Sequence, residues 1–276
     1  MKRSIIRLLM AFVLMNLFCF TLAIAEPVDD YVKFKEEKYY LLDKENFSKI
    51  TCKVKVPIID NMLENIKAQL KSRANVVQIN ENVSDFTMTY LRGEEIKFNK
   101  PYFDIKVISP EGIKNKESFY AGVEQMKNGF NQQVDGVIQM LQGVFEEFMT
   151  PNNAKEKVSS FIKTGDETKV SIDKEGVLYE EIYKGTTRIT AFKSPQLKGQ
   201  SIDEFQDLGG HLLLAKSNAH MEQQGIYKMD TTMEIVYQEI QGLNFPSKIT
   251  NKMITESGGL KQEGIIEIIL ENCSIE

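Results

Sequence analysis

Two histidines, His211 and His220, and three adjacent carboxylate pairs, Glu94-Glu95, Glu146-Glu147 and Glu180-Glu181, are the side chains in this chain best suited to move a proton or hold a metal. Either task needs the groups to converge on one point. Their spacing works against it. The histidines are nine residues apart, an odd interval that sends them to opposite faces of an alternating strand. Neighbouring carboxylates on a strand or helix point apart as well, so all three pairs read as solvated. No CxxC, HExxH, GxSxG or P-loop pattern occurs. The expectation is no catalysis and no metal site. An active site made of carboxylates alone is the version of an enzyme that such a search passes over.

Cysteine chemistry is the other candidate. Cys19 lies in the leader, and Cys52 and Cys273 remain in the body of the chain. In an oxidising compartment they could form a disulfide joining an early strand to the last one; the alternative is two buried thiols on separate strands. The leader itself has the form of a secretory signal. Lys2, Arg3 and Arg7 precede an apolar run, Leu8 to Leu22, broken only by Asn16 and Thr21, and Ala23-Ile24-Ala25 supplies small residues for a cut after Ala25. A retained membrane anchor is the rival reading. Cleavage implies a periplasmic or secreted protein. The net charge of −5 becomes −8 without the three basic leader residues, a poor balance for binding nucleic acid. Asn46-Phe47-Ser48, Asn82-Val83-Ser84 and Asn272-Cys273-Ser274 fit the glycosylation pattern, which matters only in a eukaryotic secretory route.

The elements that must position any site are mostly strands. Ile226 to Asn272 reads as three antiparallel strands. The first puts Tyr227, Met229, Thr231, Met233, Ile235 and Tyr237 on one face, the second Phe245, Ile249 and Met253, the third Ile266, Ile268 and Leu270. Gln241-Gly242-Leu243-Asn244 and Ser257-Gly258-Gly259 make the turns. Upstream, Ser48 to Val56 alternates cleanly, Pro57 ends it, and Asp60 can cap a helix running to about Arg73. Val76–Asn80, Asp85–Leu91, Glu95–Phe98 and Tyr102–Ile108 follow as short strands in hairpins. Glu26 to Glu45 is either a short helix or a loose arm.

Lys116 to Met149 forms the longest helix, inserted over residues 115–149. Phe119, Val123, Met126, Phe130, Val134 and their successors keep to one stripe. Gly122, Gly129, Gly136 and Gly143 recur every seven residues beside it, as a smooth surface for a close neighbour or acyl chain, as tight helix-to-sheet packing, or as a loosened helix. Asn153 can cap a short helix to Ile162. Strands Lys169–Asp173, Val177–Lys184 and Thr187–Phe192, a loop Ser194 to Asp207 and a strand His211 to His220 complete a single α+β domain, 26–276, with an antiparallel sheet.

A sheet with one oily face must cover it. The chain holds 12 methionines and 16 phenylalanines with no tryptophan, a soft apolar supply suited to irregular greasy surfaces. The hollow this predicts is lined by Tyr227, Met229, Met233, Ile235, Tyr237, Phe245, Ile249 and Met253 of the final strands and by Phe119, Met126 and Phe130 of the long helix.

Two short segments carry a resemblance. Gly93-Glu94-Glu95-Ile96-Lys97-Phe98-Asn99-Lys100-Pro101 and Gly242-Leu243-Asn244-Phe245-Pro246-Ser247-Lys248-Ile249, with the order of elements, resemble the LolA/LolB/LppX group of periplasmic lipoprotein and lipid carriers. The resemblance implies a curved, incomplete barrel wrapped around helices, a cavity for acyl chains, no cofactor and no catalytic residue. It implies a carrier or sensor for lipids or lipoproteins that meets envelope membrane proteins. The long helix exceeds that family's lid helices, and the family's cavity arginine has no assigned counterpart among Arg73, Arg92 and Arg188. The alternative is an envelope structural or interaction module with a fully packed sheet.

Overall fold

Alternation of apolar and polar residues over Lys49–Lys55 gives β1, whose Ile50, Cys52 and Val54 are buried. From this strand the computed structural model builds outward; it describes residues 27–94, 96–151, 156–174, 176–223 and 226–276. The expected signal peptide and its cut after Ala25, Glu95 and the capping Asn153 all lie outside the described residues. Fourteen strands and three α-helices are seen among the described residues. Twelve strands form one antiparallel sheet in the order β4-β3-β1-β14-β13-β12-β11-β10-β9-β8-β7-β6. The fold is α+β: the sheet is curved and open, with β4 (Lys97–Asn99) and β6 (Glu156–Thr164) at its two edges.

The C-terminal ribbon is as expected, with longer strands and tighter turns. β12 (Tyr227–Ile240), β13 (Leu243–Ser257) and β14 (Leu260–Ile275) pair in sequence. Each turn is two residues. Gly258 and Gly259 have φ of 58° and 80°, and Gln241 and Gly242 have 52° and 86°, the doubly left-handed geometry that suits the twist of a tight hairpin. β14 then pairs with β1, setting the first strand beside the last. Cys52 and Cys273 meet across that pair as a disulfide, S–S 2.10 Å with Cα atoms 4.1 Å apart.

Three helices lie on one face. α1 (Pro27–Lys38) contacts β6 and β11 (His211–Gln223). α2 is Pro57–Leu70 rather than a helix begun at Asp60: Pro57 occupies its first position, where a missing N–H costs nothing. α3 runs Lys116–Glu146, capped by Asn115, whose side chain accepts from the Ser118 N–H at 3.2 Å. Its apolar stripe divides in two. Phe130 packs on Phe103 of β5 (Tyr102–Val107), ring centroids 5.1 Å apart, whereas Phe145 packs on Phe245 of β13 at 5.3 Å.

Several local expectations are overturned. β2 (Val77–Asn82) and β5 pair with each other as a separate two-stranded sheet, so of the expected early hairpins only β3 (Thr87–Leu91) with β4 forms. The short helix ending at Ile162 is instead the edge strand β6, which a bulge between Val158 and Ser160 takes out of simple alternation. The loop Ser194 to Asp207 is mostly β10 (Lys198–Leu208). Tight helix-to-sheet packing does not explain the helix glycines: a Cβ at Gly129 would stand 3.3 Å from Met62 of α2, and at Gly122, Gly136 and Gly143 nothing lies within 4 Å.

Candidate functional site

β7 (Glu167–Lys174), β8 (Val177–Lys184), β9 (Thr187–Lys193), β10, β11 and β12 pair in register, so partners across the strands share a face. On the helix side this produces three rows. One runs Ile172, Tyr179, Phe192, Gly199, Met221, Met229. The next runs Val170, Glu181, Thr190, Ser201, Ala219, Thr231, reaching Met253 on β13. The third runs Tyr183, Arg188, Asp203, Ser217, Met233, reaching Asn251. Deeper still, Ile235, Ile249 and Ile268 form a closed core row, 5%, 0% and 0% exposed. Met233, Met253, Met221 and Met229 are only half-buried. The oily face thus emerges from beneath the helices and continues bare.

At the junction lies a hollow of 380 Å³, lined by α1, the end of α3 and these rows. A charge network forms its floor. Arg188 grips Glu147 with two parallel bonds, Nη1 to Oε2 at 2.9 Å and Nη2 to Oε1 at 2.8 Å, and its Nε donates to Asp203 Oδ2 at 2.8 Å. Lys35 Nζ stands 3.8 Å from Glu147 Oε2 and lies over the Tyr39 ring. Burial by itself would raise the Glu147 carboxyl; the opposing charges of Arg188 and Lys35 win and hold it down at about 2. Burial would weaken the Arg188 proton, but Glu147, Glu181 and Asp203 hold it well above the usual range. Glu181 accepts from the hydroxyls of Tyr183 and, at 3.4 Å, Tyr31. Burial, reinforced by Glu181, pushes Tyr183 far up. Thr190 is 7% exposed and its Oγ1 has no hydrogen-bond partner among the described residues.

The eleven residues expected to line one hollow are dispersed. Met233 lines this one. Met229, Met253 and Tyr227 lie on the bare face beyond it, with the Tyr227 hydroxyl 3.0 Å from the Met229 sulfur. Ile235, Phe245 and Ile249 are core. Tyr237 is half-buried, donates to the Leu214 carbonyl at 2.6 Å and packs on Phe148. Phe119 and Met126 belong elsewhere, lining a separate 600 Å³ hollow between α2 and α3 where the Arg73 guanidinium covers the Phe119 ring. Phe130 is fully buried.

The carboxylate pairs are the main correction. Glu147 and Glu181 are built into the network rather than solvated; among the described residues of the pairs Glu94, Glu146 and Glu180 are exposed. His211 is exposed at the start of β11, and His220 reaches Asp230 across the β11–β12 pair, Nδ1 to Oδ1 at 2.7 Å. Among the described residues no group of three His, Cys, Asp or Glu is placed to hold a metal, and no helix is long and apolar enough to cross a membrane. Sequence reading missed Lys35, Arg188, Thr190 and Asp203. One signal was available: Tyr179, Glu181 and Tyr183 fall on one face of β8 and Arg188, Thr190 and Phe192 on one face of β9, charges among aromatics. No protein-family model, curated protein or solved structure matches this chain.

Proposed function

We propose that the protein is an exported, non-catalytic carrier or sensor that holds the acyl chain of a lipid or lipoprotein against the inner face of its sheet. The observation that carries this reading is the run of half-buried methionines, Met221, Met229, Met233 and Met253, in register on one face and continuous with the 380 Å³ hollow. Methionine surfaces adapt to flexible apolar partners. Each methylene moved from water onto this face would gain about 0.8 kcal/mol before the cost of immobilising the chain. The Cys52–Cys273 disulfide suits an oxidising compartment, in line with export to the periplasm or beyond. In this reading the resemblance to LolA/LolB/LppX carriers describes a shared use, with cargo passed between envelope membrane proteins.

The test is displacement of a neutral apolar dye by dodecanol. The unmodified protein should bind the dye and release it. Met229→Lys with Met253→Lys should weaken binding about tenfold or more, while Val236→Lys, on the outer face and 55% exposed, should leave it unchanged. Dye that cannot be displaced, or equal loss from both faces, would overturn the carrier. Crosslinking of the same face to one envelope protein, with no lipid bound, would mark an interaction module instead.

A further inference from the structure

We infer that the hollow selects a cationic head group, an organic ammonium, at Glu181 and Thr190; this rests on the carrier reading for the tail alone. Charge sets the sign. Among the described residues the hollow is lined by three cations, Lys35, Lys174 and Arg188, and four carboxylates, Glu146, Glu147, Glu181 and Asp203. The cations are engaged: Arg188 with Glu147 and Asp203, Lys35 beside Glu147, Lys174 with Glu146 at 3.1 Å. Among the described residues Glu181, 9% exposed, has the hydroxyls of Tyr31 and Tyr183 as its hydrogen-bond donors, and no lysine or arginine reaches ion-pair distance. Arg188 lies near enough to feel the Glu181 charge but is bridged to Glu147 and Asp203, and a buried carboxylate without a direct ion pair gains from a cation that makes one.

Two independent features mark where that cation sits. Thr190 pairs in register with Glu181 and presents a hydroxyl without a partner on the same face, an acceptor for an ammonium N–H. Tyr179 and Phe192, one row along, form an aromatic pair with centroids 5.9 Å apart that lines the same hollow, and aromatic faces attract ammonium groups. An acid head group would meet carboxylates whose neighbouring cations are already bridged. From this position the tail follows Ala219 and Met233 onto the methionine face.

The experiment is calorimetric titration with dodecylammonium, dodecanol and dodecanoate, each below its micellar concentration, and with ethylammonium. Dodecylammonium should bind about tenfold or more tighter than dodecanol, with dodecanoate weakest. Glu181→Gln should bring the amine-to-alcohol ratio close to one, and Thr190→Val, which keeps the shape, should lower it several-fold. Equal affinity for the three chains would overturn the head-group assignment and leave the carrier standing. Failure of all three chains with Glu181-dependent binding of ethylammonium would end the carrier and support a site for a free organic cation. No binding by any of the four would overturn both.

Discussion

Glu147→Gln isolates the interaction that locks the end of α3 to the sheet. The substitution keeps the shape and removes the charge that Arg188 grips with two parallel bonds. The gap between an ordinary glutamate at 4.5 and the value of about 2 held here is worth about 3 kcal/mol of native stability, at ~1.4 kcal/mol per tenfold change in proton affinity. The side chain is 26% exposed, so solvent screening removes little of it. The expected loss at pH 7 is therefore about 3 kcal/mol, in the range found when one partner of a buried pair is removed. A carboxyl depressed on folding contributes its full stability above pH 4.5 and loses it as pH falls toward 2. Guanidinium unfolding at pH 7, 5, 4 and 3 should show the original protein losing stability steeply and the variant closing on it. Arg188→Met should cost more than Glu147→Gln, since it strands the buried Asp203 as well as Glu147. A variant that loses under about 0.5 kcal/mol, or that keeps the same pH slope, would refute the idea that this pair is desolvated.

Three further outcomes follow from the same geometry. Gly199→Ala would drive a Cβ into the Phe192 ring and to within 2.5 Å of the His220 carbonyl oxygen, so thermal unfolding should show about 1–3 kcal/mol lost, whereas Gly136→Ala, with open space around it, should gain up to about 1 kcal/mol. Replacing Cys52 and Cys273 with alanine opens a link across 221 residues of sequence and should cost about 4–5 kcal/mol in denaturant unfolding; a change below 1 kcal/mol would contradict the bond. Burial raises Tyr39, Tyr90, Tyr183 and Tyr237 and pushes Tyr40 up to about 12. A phenol raised on folding stabilises the protein below pH 10 and is lost above it. Absorbance at alkaline pH should therefore show about half of the ten tyrosines ionising only as the protein unfolds.

The ribbon from Tyr227 to Ile275 was legible because turn glycines bound it and its inner face is mostly apolar, interrupted by Thr231 and Asn251. β10 was not, because its alternation is inverted. Ser201 and Asp203 point inward, where Arg188 satisfies the acid, and Ile202 points out, 42% exposed. A polar residue buried by pairing looks to sequence like a loop. For the same reason Glu147 passed as solvated, its partner Arg188 being 41 residues away; Glu181 has Tyr183 two residues on, but what buries the pair is Tyr31, 150 residues away. The β2–β5 pairing skips two intervening strands, which nothing local announces. The oily face was readable as a face; that the helices stop short of covering it was not, because it depends on where α3 ends relative to the rows.

The central claim is that this bare face and its hollow receive a chain that the protein does not itself supply. A native mass spectrum of the protein, purified without detergent, tests it most directly. The expected result is a population heavier than the polypeptide by the mass of one amphiphile, released by organic solvent and absent from the Met229→Lys, Met253→Lys variant. A single species at the polypeptide mass, unchanged after incubation with alkyl amines and alcohols, would contradict it.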